Sequence, residues 1–177
     1  MMSKLPLLGA ALLAVLCAHC TKAAVSDANA QPLECRLEPV TPLTAGGNVA
    51  VRFRLVNRTD APLWMLRWNT PFEGWRGTLF TLSLDGAEIP YQGPMVKRGD
   101  PSREEYLEIP AGESVSATVD FSEVYEIKKP GLYDVKVTGG LQDVVKDAAS
   151  VPRTRDGQQP MELKCEGITL DVKKPAA

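Results

Sequence analysis

Short stretches in which apolar and polar residues alternate restrict the folds that this sequence can adopt. In the stretch NVAVRFRLVN, residues 48–57, apolar side chains recur at every second position from Val49 to Leu55. A period of two places these side chains on one face of an extended strand. Similar runs recur along the chain between turn signals, and no long window shows helical periodicity. We therefore expect an all-β protein, an immunoglobulin-like antiparallel β-sandwich of about seven to nine strands.

Two glycine-containing pairs mark points where the predicted strands turn or change course. Asp85-Gly86 separates two apolar runs and supplies the positive φ angles that a two-residue hairpin turn requires. Gly139-Gly140 interrupts the long run GLYDVKVTGGLQDVVK, where either a β-bulge or a tight turn fits the sequence. We favour the bulge, which would let one long strand continue past the glycines.

Tyr133 follows a Pro-Gly pair at the start of a predicted strand. In immunoglobulin-like sandwiches a tyrosine at such a corner donates its hydroxyl to the preceding backbone. The alternative is a tyrosine that is half-buried in the strand without this bond. The position makes Tyr133 a structural candidate under either interpretation.

The N-terminal residues have the features of a signal peptide. Lys4 supplies a positive charge, and residues 5–18 form an apolar run that is too short to span a bilayer comfortably. We expect a signal peptide over residues 1–24, with cleavage as late as residue 30, and a folded domain over residues 31–177. A lipid anchor at Cys20 is disfavoured because the bulky His19 precedes it. The mature protein is then periplasmic or secreted, with no membrane span.

Two cysteines remain once the signal region is set aside. Cys35 and Cys165 lie in strand-like runs near opposite ends of the domain. Exported proteins form disulfides, so we expect these two to be bonded, with two buried free thiols as the alternative. The bond would close a loop of roughly 130 residues and stabilise the fold by about 4–5 kcal/mol.

The composition excludes several classes of function. The single histidine of the sequence is His19, in the signal region, so the mature chain has none for a Ser-His-Asp triad or a His-rich zinc site. The formal net charge of -2 gives no electrostatic case for nucleic acid. We expect no enzyme activity, no metal and no cofactor.

The stretch WNTPFEGW, residues 68–75, concentrates aromatic side chains on a backbone broken by proline and glycine. Trp64 and Trp68 are four residues apart, so in a strand they share one face and fill the core. Phe72 and Trp75 belong to the loop that follows. Two interpretations are open: the rings cap the end of the sandwich, which we favour, or Trp75 and Phe72 are presented to a partner.

A second irregular segment runs from Tyr91 to Tyr106 and has no strand pattern. It carries Lys97 and Arg98 between two prolines, and a connecting segment of this kind runs over the surface. The two basic residues are either part of a solvated loop or a binding site for a protein partner.

The stretches VRFRLVNRTDAPLWMLRWNTPFEG and YQGPMVKRGDPSREEYLEIPAGESVSATVDFSEVYEIKKPGLYDVKV resemble the N-terminal, non-catalytic region of bacterial deuterolysin and peptidyl-Lys metalloendopeptidase family proteins. The resemblance covers roughly residues 33–172. In that family this region precedes a zinc protease domain, whose zinc motif and aspartate ligand have no counterpart here. The resemblance therefore implies a pro-region-like domain standing alone, and protease activity is not carried over.

The function implied by this resemblance is binding of a protein partner by a monomeric, exported domain. The partner would be a secreted zinc metalloendopeptidase, which the domain inhibits or chaperones in trans. Some proteases of the family cut before lysine, so Lys97 is a candidate substrate mimic. The alternative is a structural or envelope-associated module without a protease partner.

Overall fold

Ten β-strands and five short 3-10 turns make up residues 31–176, the part of the chain that the computed structural model describes. No α-helix occurs within this range. The strands are β1 (Leu33–Val40), β2 (Ala50–Asn57), β3 (Leu63–Leu66), β4 (Phe80–Leu84), β5 (Ala87–Glu88), β6 (Tyr106–Ile109), β7 (Ser114–Asp120), β8 (Gly131–Val137), β9 (Val144–Val145) and β10 (Ile168–Val172). The predicted all-β class is confirmed.

The strands form three antiparallel sheets, in the orders β1-β2-β7, β10-β8-β4-β5 and β6-β3-β9. The alternation in β2 puts its apolar side chains on the inner face of the first sheet. The inner face of the second sheet packs against the inner face of the first, and the two faces form the main core of the domain. Residues from both sheets that meet in this main core include Phe53, Leu55, Leu82, Val135 and Leu170. Two sheets that share one core make the sandwich that the sequence predicts.

The disulfide joins the edges of the two large sheets. Cys35 lies in β1 and bonds to Cys165, three residues before β10, with Cα atoms 4.9 Å apart. Strands β1 and β10 are the outermost strands of their sheets on this side. The predicted Cys35–Cys165 bond is confirmed, although Cys165 lies just outside the strand rather than in it.

Local signals in the sequence correctly identified one hairpin and one corner. Asp85 and Gly86 have φ angles of 51° and 79° and connect β4 to β5. The Tyr133 hydroxyl donates to the carbonyl oxygen of Lys129 at 2.7 Å, and its side chain is buried. A bond to the backbone four residues upstream is the geometry of a tyrosine corner.

The predicted bulge at Gly139-Gly140 is wrong. Strand β8 ends at Val137, and Gly139 has a φ of 77°, so the glycines end the strand in a turn. Beyond the turn, Leu141 and Met161 exchange backbone hydrogen bonds of 2.8 and 2.9 Å. A Cβ atom at Gly140 would lie 2.5 Å from the Met161 carbonyl oxygen, so glycine is needed for this close approach.

A second, smaller cluster lies on the other face of β3. Leu63 and Met65 point into the main core, whereas Leu66 points into the second cluster and Trp64 packs against it from the rim. This second cluster consists of Leu66, Trp68, Tyr106, Val145 and Val151. Its members come from β3, β6 and β9 and from the segments that follow β3 and β9.

The predictions for the signal peptide, its cleavage site and Cys20 concern residues outside the described range. Within residues 31–176, no helix is long and apolar enough to cross a membrane.

Candidate functional site

The segment that connects β5 to β6 contains Met95, the most exposed large apolar side chain among the described residues, and the central residues of this segment are called the 94–101 loop. The loop begins where the chain is fixed to the core. The Gln92 amide donates to the Val124 carbonyl oxygen at 2.8 Å, and the Tyr91 hydroxyl donates to the Pro94 carbonyl oxygen at 3.0 Å. A Cβ atom at Gly93 would lie 2.4 Å from the Tyr91 hydroxyl, so a larger residue at this position would force the Tyr91 side chain to move.

Arg98 turns inward from the loop. Its Nη2 atom lies 2.6 Å from both carboxylate oxygens of Glu73, and its guanidinium carbon lies 5.0 Å from the centre of the Trp68 ring. The side chains of Arg98 and Glu73 are 22% and 12% exposed, so this ion pair is mostly shielded from water. The expectation that both basic side chains are exposed on the loop is therefore wrong for Arg98.

Glu73 is held in place for this contact by its own short turn. It ends the 3-10 turn Pro71–Glu73, and its Oε1 atom also accepts the Asn69 amide at 2.8 Å. The turn begins with Thr70, whose side chain accepts the Phe72 amide. The irregular WNTPFEGW stretch thus positions the carboxylate that binds Arg98.

Contacts from the long connection before β10 fix the other side of the loop. The Arg155 side chain donates to the Arg98 carbonyl oxygen at 3.1 Å, and the Arg155 amide donates to the Asp100 carboxylate at 2.8 Å. Pro101 is buried. The base of the loop is therefore attached both through the Arg98 side chain and through its backbone.

Glu105 connects Trp68 to the end of the loop. Its carboxylate accepts the Trp68 indole N–H at 2.6 Å and the Ser102 amide at 2.8 Å. Burial by itself raises the pKa of Glu105, but these hydrogen bonds and the nearby charges of Arg98 and Arg67 hold the pKa below its usual value. The carboxylate is therefore ionised at neutral pH, as its role as an acceptor requires.

The tip of the loop faces solvent. Met95 is 74% exposed and Val96 is 37% exposed, and Lys97 is exposed as expected. Among the described residues, Leu132 is the other large apolar side chain that is exposed, at 60%. The tip therefore presents two adjacent apolar side chains and one cation, while the arginine next to them points inward.

Phe72 and Trp75 pack against the domain. Trp75 is half-buried, with ring centres 5.5 to 6.1 Å from those of four other aromatic residues, Phe80, Tyr91, Phe121 and Tyr125. Its indole N–H donates to the Asp120 carbonyl oxygen at 3.1 Å. The Phe72 ring lies 5.7 Å from that of Phe53. The favoured packing interpretation accounts for both rings.

Trp64 and Trp68 lie together in the second cluster of buried side chains, which is separate from the main core. Trp68 is 5% exposed but follows the end of β3, and Trp64 is only half-buried. Side chains alternate between the two faces of β3 as expected. Leu63 and Met65 point into the main core, and Trp64 points to the opposite face. The sequence did not show that this opposite face is also covered.

The buried carboxylate of Asp143 has structural partners. It accepts hydrogen bonds from the Tyr106 hydroxyl at 2.8 Å, from the backbone N–H of Gln159 at 3.0 Å and from the Arg153 guanidinium at 3.2 Å. Burial, with a smaller contribution from Asp143, raises the pKa of Tyr106 to about 12. Residues 31–176 bring together no group of three or more histidine, cysteine or acidic side chains that could hold a metal ion.

Sequence comparison finds no family model that matches the chain, but it finds similarity to proteins named as proteases. An extracellular protease from Aeromonas hydrophila is 29% identical over 89 residues, which are 50% of this chain and 25% of that protein. A neutral protease 2 homolog from Arthroderma gypseum is 26% identical over 114 residues, 63% of this chain and 31% of that protein.

A third similar protein, a neutral protease 2 homolog from Uncinocarpus reesii, is 28% identical over 132 residues, which are 73% of this chain and 35% of that protein. The chain thus spans between a quarter and about a third of the length of these three relatives. These similarities are consistent with a protease-associated domain, and they cover a minor part of each relative.

Proposed function

We propose that the protein is an exported, monomeric, non-enzymatic domain that binds a secreted zinc metalloendopeptidase in trans and inhibits it or assists its folding. The observation that carries the proposal is the 94–101 loop, whose tip faces solvent while its base is fixed by the Arg98–Glu73 ion pair. A loop that is ordered before it binds loses less conformational entropy in the complex.

The similarity to proteases supports the choice of partner. The shared segment makes up a quarter to about a third of the three protease-named relatives. In this proposal the segment is the accessory part of those proteins, and the same kind of domain acts here on a separate protease chain. The resemblance to the deuterolysin and peptidyl-Lys metalloendopeptidase family implies that the metal of that protease is zinc.

Lys97 gives the proposal a specific mechanism. In the deuterolysin and peptidyl-Lys metalloendopeptidase family, proteases that cut before lysine favour a cationic side chain just past the scissile bond. Lys97 is an exposed cation at the tip of the 94–101 loop. In this mechanism Lys97 occupies that pocket as a substrate mimic, and the fixed loop base holds the backbone away from the geometry needed for cleavage. An ion pair desolvated in such a pocket makes truncation costly, by about 2–5 kcal/mol.

The test is a titration of the mature protein into two purified enzymes, a peptidyl-Lys metalloendopeptidase and the Aeromonas hydrophila extracellular protease. Hydrolysis of a fluorogenic peptide reports inhibition, and recovery of activity after dilution from denaturant reports assisted folding. Lys97→Ala should weaken inhibition of the lysine-directed enzyme by about 100-fold. Lys146→Ala, which changes an exposed lysine far along the chain, serves as the matched control.

The outcomes separate the parts of the proposal. If Lys97→Ala inhibits as well as the parent, the substrate-mimic mechanism is wrong while binding in trans stands. If the parent neither inhibits nor assists the folding of either enzyme, the proposed function is refuted. A structural or envelope-associated module without a protease partner is then the better account.

A further inference from the structure

We propose that the apolar pair Met95–Val96 is the surface that enters the partner, and that Arg98 is the positioning residue that fixes the shape of the loop from inside. This inference rests on the proposed function and specifies which side chains make the contact. The cleft that accepts them would have an apolar floor and an acidic group on the side of Lys97.

The exposure of the tip is the first observation. Met95 and Val96 are adjacent and exposed, and the charged residues Lys97 and Arg98 follow them in the sequence GPMVKRGDP. Apolar side chains scattered singly over a protein surface are ordinary, whereas adjacent exposed ones form a small apolar surface that a partner can cover. Leu132, which lies on β8, is of the ordinary kind. Methionine suits such a contact because its unbranched, polarisable side chain adapts to the opposing surface.

The inward position of Arg98 is the second observation. Its guanidinium lies between the Glu73 carboxylate and the Trp68 ring, with both carboxylate oxygens at 2.6 Å. If the Arg98 side chain turned outward to contact a partner, its mostly buried ion pair with Glu73 would break and the Glu73 carboxylate would lose its cation. Arg98 therefore contributes to binding by holding the loop, and Lys97 is the cation that the tip offers.

Two further hydrogen bonds anchor the loop backbone, one within the tip and one beside it. The Val96 amide donates to the Arg76 carbonyl oxygen at 3.3 Å, and Arg155 donates to the Arg98 carbonyl oxygen at 3.1 Å. These bonds attach the backbone on both sides of Lys97 while the side chains of Met95 and Lys97 remain in solvent. An apolar pair followed by a cation, on a backbone fixed before binding, is the pattern that the partner must match.

The binding test compares three aspartate variants on the same immobilised target, a catalytically inactive variant of either protease. Met95→Asp and Val96→Asp should each weaken binding by about 30-fold or more, the size expected at a central contact. Leu132→Asp introduces the same charge at an exposed apolar site elsewhere and should change affinity by less than about twofold. Circular dichroism and urea unfolding check that all three variants fold.

A second measurement isolates the positioning role of Arg98. In the free parent, 15N relaxation of the Met95–Lys97 amides should match that of β2, and in Arg98→Gln these amides should become mobile. Arg98→Lys keeps the charge but loses the planar guanidinium that lies over the Trp68 ring, so it should restore order only in part. Binding by Arg98→Gln should weaken mainly through slower association, because the tip side chains are intact.

Each outcome bears on a different claim. Tip variants that bind like the parent refute this inference and leave the proposed function standing. Mobile amides at residues 95–97 of the free parent refute the positioning role. A parent that binds neither protease refutes the proposed function and this inference together.

Discussion

Trp75→Ala tests whether the aromatic run after β3 stabilises the fold or is available to a partner. The ring of Trp75 lies within 6.1 Å of four other aromatic rings, mostly edge to face. Edge-to-face pairs add to the free energy that burial of the ring already provides. The indole N–H also satisfies the Asp120 carbonyl oxygen at 3.1 Å.

The expected loss follows from these contacts. Replacement of a core tryptophan or phenylalanine by alanine costs about 3–5 kcal/mol. Because Trp75 is only half-buried, we expect its loss in the free energy of unfolding to be smaller than for a core residue. Removing its indole N–H also leaves the Asp120 carbonyl oxygen without its donor, which adds about 1 kcal/mol. We therefore expect a loss of about 3 kcal/mol in the free energy of unfolding.

The assay is urea unfolding followed by far-UV circular dichroism, which does not depend on tryptophan emission. Trp75→Phe is the matched control: it keeps an aromatic ring and removes the N–H, so it should cost about 1 kcal/mol. A loss below about 1 kcal/mol for Trp75→Ala would contradict the packing role. In that case the ring would again be a candidate for partner binding.

Three further predictions concern the disulfide, the corner and the alkaline limit of stability. Replacing both Cys35 and Cys165 by alanine should lower the free energy of unfolding in urea by about 5 kcal/mol, because the bond spans 130 residues. A reductant should destabilise the parent but not this double variant. Tyr133→Phe should cost about 1–2 kcal/mol in the same assay, because it leaves a backbone carbonyl unpaired. The pKa of Tyr106, about 12, lies above the unfolded value of about 10, so its contribution is complete below about pH 10 and lost as the pH rises to about 12. Urea midpoints should fall across that range, and less so in Tyr106→Phe.

The features that sequence reasoning predicted correctly are those with a local signal. Asp85-Gly86 specifies a two-residue turn through its own backbone preferences, and the turn is present. Tyr133 bonds to a carbonyl four residues away, within reach of the Pro-Gly corner that suggested it. The Cys35–Cys165 bond was predictable by elimination, since no other cysteines remain in the domain.

The features that were missed depend on contacts between distant residues. Glu73 and Arg98 are 25 residues apart, and nothing in the GPMVKRGDP loop shows that one of its two basic side chains turns inward. Because Arg98 turns inward, the exposed apolar side chains of the loop are those of Met95 and Val96, which were not among the candidate site residues. The Gly139-Gly140 pair fits a bulge and a turn equally well, and the close approach of the distant Met161 to Gly140 could not be read from the local sequence.

The central claim is that the tip of the 94–101 loop contacts a secreted metalloprotease. Hydrogen exchange with mass spectrometry, comparing the free protein with its complex with a catalytically inactive Aeromonas hydrophila extracellular protease, tests it most directly. We predict new protection in peptides that cover residues 93–98, with β8 around Leu132 unchanged. Protection centred on another surface, such as the strand edge beside the Cys35–Cys165 bond, or no change at saturating protease, would contradict the account.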